Sequence, residues 1–310
     1  MNPRILVLGD VLLDVDLAGG ASRLSPDGPV PVVDVTERVE RAGGAGLVAT
    51  FLAADGAEVT LATAIAEDAR GQRIRTLLHG VRLAAAELAA PTPTKTRVHA
   101  GAHPVARIDE GCGAPGRIRR MSVVIEEIRT ADLVVAADYG RGLLAGEQVR
   151  TALARRAEDI PIVWDPHPRG TSPVPGCRLV TPNRAEAAGI EGIAVDDARH
   201  ALDVAADLRV RWNARCVAVT LDADGAAVAL DDGSHSLLPT RRVQVTDSCG
   251  AGDRLASAAA LQLASGAPVL DAVRSGVALA TDFLEAGGVA ALPRHRAGPF
   301  ERRPPLAAVG

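Results

Sequence analysis

Residues 247–253, DSCGAGD, bring together the residue types that phosphate chemistry needs. Gly250, Ala251 and Gly252 are small enough for their backbone to approach a ligand, and their N–H groups at the start of an apolar helical run would form an anion site. Asp253 would lie in the first turn, where its carboxylate could take a proton from an attacking hydroxyl. An ordinary helix start is equally consistent with the pattern, because the helix dipole favours an acidic residue there.

A second polar segment, residues 181–186, follows an apolar run. Asn183 and Glu186 are three residues apart, so on a helix they would share one end and could both face a hydrated metal ion or a phosphate. The same spacing is that of a capping box variant, in which an Asn side chain and a Glu side chain satisfy backbone N–H groups. On this segment alone, the capping box is the preferred interpretation.

Glycines also cluster at residues 41–49, with a G-x-G-x-x-A pattern at Gly44, Gly46 and Ala49. That pattern is typical of dinucleotide-binding turns, but here it does not follow a buried strand, and the acidic residues expected later fall in a turn. A dinucleotide site is therefore disfavoured. We expect instead that Gly43 and Gly44 allow a helix start to press against a polar ligand such as a sugar.

Missing motifs exclude several other chemistries. The sequence has no G-x-x-x-x-G-K-[ST] phosphate loop, no G-x-S-x-G serine-hydrolase elbow and no paired cysteine or H-E-x-x-H spacing for zinc. A formal net charge of -4 and only three Phe, two Trp and one Tyr disfavour nucleic acid as a partner. No apolar run approaches the roughly 20 residues that span a bilayer, and four scattered cysteines favour free thiols. We therefore place the protein in the cytoplasm.

The elements that must position these residues alternate along the chain. Short continuous apolar runs are typical of buried parallel strands, and they predict strands at residues 4–10, 59–64, 132–137, 160–164, 178–181 and 216–221. Helical patterns lie at residues 44–54, 69–78, 117–129, 146–157, 196–211, 251–264 and 269–284. This alternation predicts an α/β sheet covered by helices on both faces.

Two segments, residues 29–39 and 94–100, alternate between apolar and polar side chains instead. Such strands have one wet face, and they predict a small accessory sheet that projects from the main body. We expect one domain over residues 1–292, with lid strands at about 12–40 and 93–109, and a loosely held tail over residues 293–310.

Taken in order, Gly9-Asp10 with Asp14, Gly43-Gly44, residues 183–186 and residues 250–253 resemble the ribokinase-like (PfkB) carbohydrate kinases over about residues 4–292. Within that family, residues 22–33, 94–97, 107–109, 138–142 and 165–166 are similar to the D-glycero-β-D-manno-heptose 7-phosphate kinases. The resemblance implies a Rossmann-type three-layer α/β sandwich with a β lid, and ATP and Mg²⁺ as co-substrates. It also implies transfer of a phosphoryl group to the anomeric hydroxyl of heptose 7-phosphate, giving the 1,7-bisphosphate.

The resemblance also implies a role for each matching residue. Asp253 is the general base, the amides of Gly250, Ala251 and Gly252 form the anion hole, Asn183 and Glu186 serve Mg²⁺ and phosphate, Thr220 and Gly225 lie in the nucleotide site, and Asp14, Gly43, Gly44, Lys95 and Asp109 line the sugar side. Lys95 is the only lysine in the chain. Its ammonium could pair with the phosphate that the substrate already carries, or it could be a solvated lid residue.

Four residues depart from the family pattern: Leu47 where Asn is frequent, His167 where the heptose kinases have Lys, Cys249 where Thr is common, and Arg254 where a small residue is usual. Two alternatives therefore stay open, a kinase for another sugar and a catalytically silent sugar or nucleotide sensor. The expected partners are a sugar phosphate and ATP, and an open edge of the lid could pair with a second copy of the chain.

Overall fold

The computed structural model describes residues 3–101, 103–113, 116–192, 194–195, 197–245, 247–292 and 295–296. Its strands are β1 (Arg4–Gly9), β2 (Val11–Ser25), β3 (Gly28–Gly44), β4 (Glu58–Ile65), β5 (Arg82–Ala89), β6 (Thr94–Ala100), β7 (His103–Glu110), β8 (Arg117–Arg119), β9 (Leu133–Ala137), β10 (Ile162–Asp165), β11 (Leu179–Val180), β12 (Cys216–Thr220), β13 (Ala226–Leu230), β14 (His235–Leu238) and β15 (His295–Arg296). Its α-helices are α1 (Ala45–Ala54), α2 (Ala69–Leu77), α3 (Ser122–Thr130), α4 (Glu147–Arg156), α5 (Arg184–Glu191), α6 (Ala198–Trp212), α7 (Ala251–Ala264) and α8 (Val269–Glu285).

The central sheet has ten strands in the order β14-β13-β12-β11-β10-β9-β1-β4-β5-β8. The seven strands from β12 to β5 are parallel, and β13, β14 and β8 are antiparallel to their neighbours. Helices cover both faces, with α1, α2, α7 and α8 packed on one side and α3 to α6 on the other. The predicted three-layer α/β architecture is therefore confirmed.

The continuous apolar runs are explained by burial on both faces of this sheet. In β1, Ile5 and Val7 enter the core on one side, whereas Leu6 and Leu8 enter the core on the other. Because successive side chains of a strand point to opposite faces, a doubly covered strand must be apolar at every position. Within the described chain, every helix is too short or too polar to cross a bilayer.

A second sheet of five strands, in the order β15-β3-β2-β6-β7, forms the lid. Strand β2 pairs antiparallel with β3 and parallel with β6, and β6 pairs antiparallel with β7. The first residues of β2 have two unlike faces, with Leu13 and Val15 in the core and Asp14 on the opposite face. Strand β7 is exposed at every residue.

The structure corrects the sequence prediction at two places. Residues 117–119 are not the start of a helix but the edge strand β8, and α3 begins only at Ser122, after Arg120 with φ 59°. Strand β5 was not predicted, because alanine has low strand propensity. Alanine also occupies both the buried and the less buried positions of β5, so the sequence does not show the alternation of burial along this strand. The predicted tail lies outside the described residues, apart from His295 and Arg296, which pair with β3.

Candidate active site

The candidate site lies at the carboxyl ends of the parallel strands. Asp138 and Tyr139 follow β9, Asp165 ends β10, Thr181 follows β11 and Thr220 ends β12. Because parallel strands point their carboxyl ends to one edge of a sheet, these residues meet there, which is where open α/β sheets bind ligands. Together they border a small cavity of about 170 Å³ that Asp253 also lines.

The start of α7 supplies backbone N–H groups to this edge. Gly250 has φ 83°, and a Cβ there would lie 3.1 Å from Leu47 Cδ2, so glycine suits the position. Ala251 N donates to the carbonyl oxygen of Ser248 at 3.2 Å. Among the described residues, no acceptor binds the amides of Gly252 and Asp253, as expected for the first turn of a helix. These two amides are therefore better placed to bind an anion than that of Ala251.

Asp253 is a buried carboxylate with one specific partner. The hydroxyl of Tyr139 donates to Asp253 Oδ1 at 2.6 Å. Burial raises the pKa of Asp253 to about 6, the hydrogen bond from Tyr139 and the charge of Lys95 oppose that rise, and the charge of Asp14 adds to it. A carboxylate with this pKa is mostly ionised at neutral pH and is a stronger base than an ordinary aspartate.

Further carboxyl groups border the same cavity. Burial, followed by the negative charges of Asp253 and Glu186, raises the pKa of Asp165 well above its ordinary value, and Asp165 Oδ1 accepts from Thr181 Oγ1 at 2.8 Å. Burial likewise raises the pKa of Glu186 to about 7. A divalent cation would relieve this concentration of negative charge.

The donor set fits Mg²⁺. Mg²⁺ prefers oxygen ligands and is usually held by one or two carboxylates together with water and substrate phosphates, so it does not need a cage of protein ligands. In the described chain, no three His, Cys, Asp or Glu side chains already stand as a metal cluster. Glu186 and Asp165, which line one cavity, are sufficient for the usual mode of binding.

Asn183 and Glu186 also form the predicted capping box at the start of α5. Asn183 Oδ1 accepts from Glu186 N at 2.9 Å, and Glu186 Oε2 accepts from Asn183 N at 2.8 Å. This arrangement does not exclude a second role, because Glu186 Oε1 has no hydrogen bond to any part of the chain that the structure describes. The capping box then fixes a carboxylate with one oxygen left for a ligand.

A larger cleft of about 1110 Å³ adjoins the small cavity. Asn183, Thr220 and Gly252 line both spaces. Gly225 lines the larger cleft, and with φ 93° it packs so closely on the carbonyl oxygen of Leu238 that no Cβ would fit. A ligand in the larger cleft could therefore extend toward Asp253 past the three shared residues.

Asp14, Gly43 and Gly44 form one compact unit on the adjacent lid strands β2 and β3. Asp14 is buried, and its Oδ1 accepts from Arg97 Nη1 at 3.0 Å. Gly44 has φ 61°, and a Cβ there would lie 2.5 Å from the carbonyl oxygen of Asp10 and 3.5 Å from the ring of Tyr139. Both glycines are thus required by close packing around Asp14 and Asp10.

Lys95 and Asp109 face each other across β6 and β7. Lys95 Nζ lies 5.7 Å from the ring centroid of Tyr139, close to the small cavity. Asp109 is exposed, and its carboxylate accepts from Arg107 Nε and Nη2 at 2.8 and 2.7 Å. The structure therefore brings Lys95 beside Tyr139, whereas Asp109 lies farther out on the exposed edge strand, and neither Lys95 nor Asp109 lines either cavity.

Comparison with known proteins decides the family. The sequence model described as pfkB family carbohydrate kinase matches residues 2–294. This chain belongs to the pfkB family of carbohydrate kinases. That result confirms the resemblance seen in the motifs.

Two curated relatives are named bifunctional protein HldE. The protein of Streptomyces coelicolor is 46% identical over 296 residues, which are 93% of this chain and 62% of the relative. The protein of Caulobacter vibrioides is 34% identical over 277 residues, which are 87% of this chain and 57% of the relative. This pfkB-family chain thus spans about 60% of the length of these relatives.

Solved structures confirm the ribokinase-like fold. Arabidopsis thaliana ribokinase, complexed with ribose and ATP, superposes with a TM-score of 0.73 at 18% identity, covering 94% of this chain and 96% of the ribokinase. The tetrameric inhibited form of Escherichia coli phosphofructokinase-2 gives a TM-score of 0.74 at 20% identity, covering 93% and 96%.

Two of the four departures from the pfkB-family pattern, Leu47 and Arg254, lie where α1 packs against α7. Leu47 is buried with Phe51 and Val289 behind Gly250. Arg254 forms an ion pair with Asp55 at the end of α1, and its guanidinium carbon lies 5.5 Å from the ring centroid of Phe51. Leu47 and Arg254 are thus part of the packing between α1 and α7.

His167 is the departure that borders the small cavity, and its Nδ1 accepts from Arg169 N at 3.1 Å. Cys249 Sγ accepts from Arg97 Nη2 at 3.5 Å, which links the lid to the loop before α7.

Sequence reasoning missed Tyr139, Asp165 and Arg97 as members of the site. Each lay inside a short stretch that resembles the heptose kinases, but none has a side-chain pattern of its own that predicts chemistry. The usable signal for Tyr139 and Asp165 was their position directly after, or at the end of, a predicted buried strand.

Proposed function

We propose that the chain transfers the γ-phosphoryl group of ATP to a hydroxyl of a sugar phosphate, most specifically D-glycero-β-D-manno-heptose 7-phosphate, to give the 1,7-bisphosphate. The observation that carries this proposal is the junction of the two cavities, with Asn183, Thr220 and Gly252 on both sides of it and Asp253 in the smaller one. The relatives named HldE and the ribokinase solved with ribose and ATP support it.

The larger cleft would hold the nucleotide, with Thr220 and Gly225 among its walls. The terminal phosphoryl group would then lie at the junction, where the amides of Gly252 and Asp253 point toward it from the start of α7. Phosphoryl transfer passes through a loose transition state with charge on the equatorial oxygens, so positioned N–H donors carry much of the catalysis. Gly250 and Ala251 shape the turn that aims these donors.

Asp253 would act as the general base. Its free oxygen Oδ2 accepts the proton of the sugar hydroxyl, the hydroxyl oxygen forms a bond to the γ-phosphorus, and the bond from that phosphorus to the bridging oxygen of ADP breaks. A positioned base typically contributes about 10²- to 10⁴-fold to the rate.

Glu186 would hold Mg²⁺, with Asp165 and Asn183 beside it. The ion supplies neutralisation of the charge on the transferred group. Asn183 orients Glu186 through the capping box, and Glu186 lines the cavity.

The sugar would lie between Asp14, Gly43 and Gly44 on one side and Tyr139 on the other. Lys95 would bind the phosphate already on the substrate. Three arginines on the same face of the lid pair with carboxylates, in the pairs Arg41–Asp16, Arg97–Asp14 and Arg107–Asp109. No carboxylate pairs with Lys95 among the described residues, so its charge is available to a ligand. The hydrogen bond and charge of Arg107, together with the charge of Lys95, lower the pKa of Asp109, so its carboxylate would stay ionised near Lys95.

A coupled assay of ADP release tests the substrate. We expect turnover with heptose 7-phosphate and much weaker turnover with fructose 6-phosphate and ribose. His167 at the cavity favours the second candidate, a kinase for another sugar, and a preference for either control would support it. No ADP release with any sugar would favour a silent binding protein.

We also propose that two copies pair through the lid. Strand β7 is an edge strand with every residue exposed, and Ile108 and Val105 add apolar surface to it. Leu24 and Val30, at the far end of β2 and β3, are exposed as well. An unpaired edge with apolar side chains is suited to pairing with another strand.

A further inference from the structure

Tyr139, the only tyrosine in the chain, lies beside the proposed base. Its hydroxyl donates to Asp253 Oδ1 at 2.6 Å, which is the one side-chain hydrogen bond of Asp253 to any residue that the structure describes. We propose that Tyr139 is a positioning residue: it holds one oxygen of the carboxylate so that Oδ2 meets the sugar hydroxyl. This inference rests on the function proposed above.

The backbone holds Tyr139 rigidly. Asp138, the residue before it, is buried and accepts from Gly140 N at 2.9 Å and from Thr171 N at 2.7 Å. Gly140 has φ 69°, and a Cβ there would lie 2.6 Å from the carbonyl oxygen of Arg169, so the turn is tightly enclosed. This loop is therefore ordered when the chain folds, and the hydroxyl is oriented toward Asp253 before a substrate binds.

The ring of Tyr139 is also enclosed. A Cβ at Gly44 would lie 3.5 Å from two of its carbons, and the ring of His167 lies 5.9 Å away between centroids. Lys95 Nζ approaches the ring at 5.7 Å from its centroid. The ring is therefore packed between the end of β3, strand β6 and the loop after β10.

At neutral pH, Tyr139 is the donor in this pair. Burial, followed by the negative charges of Asp253 and Asp165, raises the pKa of Tyr139 well above its ordinary value, so the phenol keeps its proton. A hydrogen bond from a neutral donor to a carboxylate is charge-assisted and stronger than one between neutral groups. It favours the ionised form of Asp253, which is the form that a general base needs.

Other ionisable groups face Asp253 from several elements, but none replaces this donor. The groups are Asp14 from β2, Lys95 from β6, Asp165 from β10, Glu186 from α5 and Cys249 from the loop before α7. They act on Asp253 through charge. None of them donates a hydrogen bond to it within the described chain.

The first test is Tyr139→Phe, which removes the hydroxyl and keeps the ring. We expect kcat to fall by about 10- to 100-fold, because loss of orientation costs rate at this scale, while KM for ATP stays the same. The matched control is Ser257→Ala on the same helix as Asp253, which removes a buried hydroxyl that donates to the Arg254 carbonyl at 2.9 Å. A folded Tyr139→Phe protein with unchanged kcat would overturn the proposal.

A second test does not depend on turnover. Because the 310-residue chain has one tyrosine, this chain labelled with ¹³C at Tyr Cζ gives a single resonance. We expect this resonance to move in Asp253→Asn and to stay in place in Ser257→Ala, whereas the same position in all three proteins would overturn the proposal. The NMR measurement tests the hydrogen bond between Tyr139 and Asp253 whether or not the chain phosphorylates a sugar. Absence of phosphorylation with every sugar would contradict the proposed function and not this hydrogen bond.

Discussion

Gly43 lies so close to Asp14 that no side chain fits between them: a Cβ at residue 43 would overlap Asp14 Oδ2 and lie 2.8 Å from Asp14 Cγ. The two residues sit on the adjacent strands β3 and β2. Asp14 cannot move aside freely, because it is buried and Arg97 Nη1 holds its Oδ1 at 3.0 Å. The glycine therefore sets the position of a carboxylate that we place against the sugar.

Gly43→Ala should displace Asp14 and weaken binding of the sugar. A hydrogen bond to a charged group contributes about 1.5–3 kcal/mol, so loss of the contact of Asp14 with the sugar should raise KM for the sugar by about 10-fold or more, with KM for ATP unchanged. Gly20→Ala, on β2 where a Cβ would meet nothing within 4 Å, is the control. Steady-state kinetics with each substrate varied in turn measure both constants. Equal KM values for the sugar in the two variants would contradict this role of Gly43.

Asp253→Asn should abolish phosphoryl transfer and leave nucleotide binding intact. In the unsubstituted chain, the base loses its charge as the pH falls through about 6, the pKa to which burial raises Asp253. The rate of transfer should therefore decline on the acid side of about pH 6, since only the ionised carboxylate accepts a proton. Rate measurements across pH and calorimetric titration with ATP test both statements. Near-normal turnover by Asp253→Asn would remove Asp253 from the mechanism.

The same carboxylate should cost stability at neutral pH. Its pKa is about 6 in the folded chain against 3.8 as its ordinary value, so the folded state binds the extra proton and stability falls as the pH rises between these values. Asn cannot ionise, so the free energy of unfolding of Asp253→Asn relative to the unsubstituted chain should increase from about pH 4 to about pH 7, by up to about 3 kcal/mol. Urea unfolding at several pH values measures it.

Ser257→Ala removes no charge, and its difference from the unsubstituted chain should not change with pH. A pH-dependent difference in the free energy of unfolding for Asp253→Asn, but not for Ser257→Ala, would then measure the stability lost by burying the Asp253 carboxylate. A difference for Asp253→Asn that is constant with pH would show that the carboxyl titrates alike in the folded and unfolded chains.

The fold could be predicted from the sequence because its signal is local. Doubly buried strands such as β1 must be apolar throughout, so their runs are visible in a short window of sequence. Strand β5 was missed, since its alanines serve a buried strand and a helix equally well. Residues 117–119 were assigned to a helix because their pairing with β5 is a contact that local patterns do not contain.

The site was only partly predictable. Asp253 stands in a motif at the start of α7, and Asn183 and Glu186 stand in a motif at the start of α5, so the sequence contains the local geometry of each. Tyr139 reaches Asp253 across 114 residues of chain, and Arg97 reaches Asp14 across 83. Such pairs depend on the order of strands in the sheets. No alternation or spacing of residues predicts them.

Lys95→Met should impair the use of phosphorylated sugars selectively. Hydrogen bonds to charged groups contribute about 1.5–3 kcal/mol, so we expect KM for the sugar phosphate to rise by about 10- to 100-fold. An unphosphorylated sugar should be used as before, because it makes no such contact. Lys95→Arg should not restore full affinity, since a planar guanidinium does not match a site shaped for a compact ammonium.

The control for Lys95 is Arg23→Met, which removes an exposed cation elsewhere on the lid. If both substitutions raise KM by the same factor, the lid acts through its total charge. A loss confined to Lys95→Met supports a specific phosphate contact.

Ile108→Lys should separate the proposed lid dimer. Ile108 is 49% exposed on β7, the edge strand, and a charge there would oppose pairing of two apolar lid surfaces. Sedimentation velocity should show a dimer for the unsubstituted chain and a monomer for Ile108→Lys. Val210→Lys, at a residue 68% exposed on α6 outside the lid, should remain dimeric. A dimer that survives Ile108→Lys but not Val210→Lys would place the contact on the helical face, and a monomeric unsubstituted chain would contradict pairing altogether.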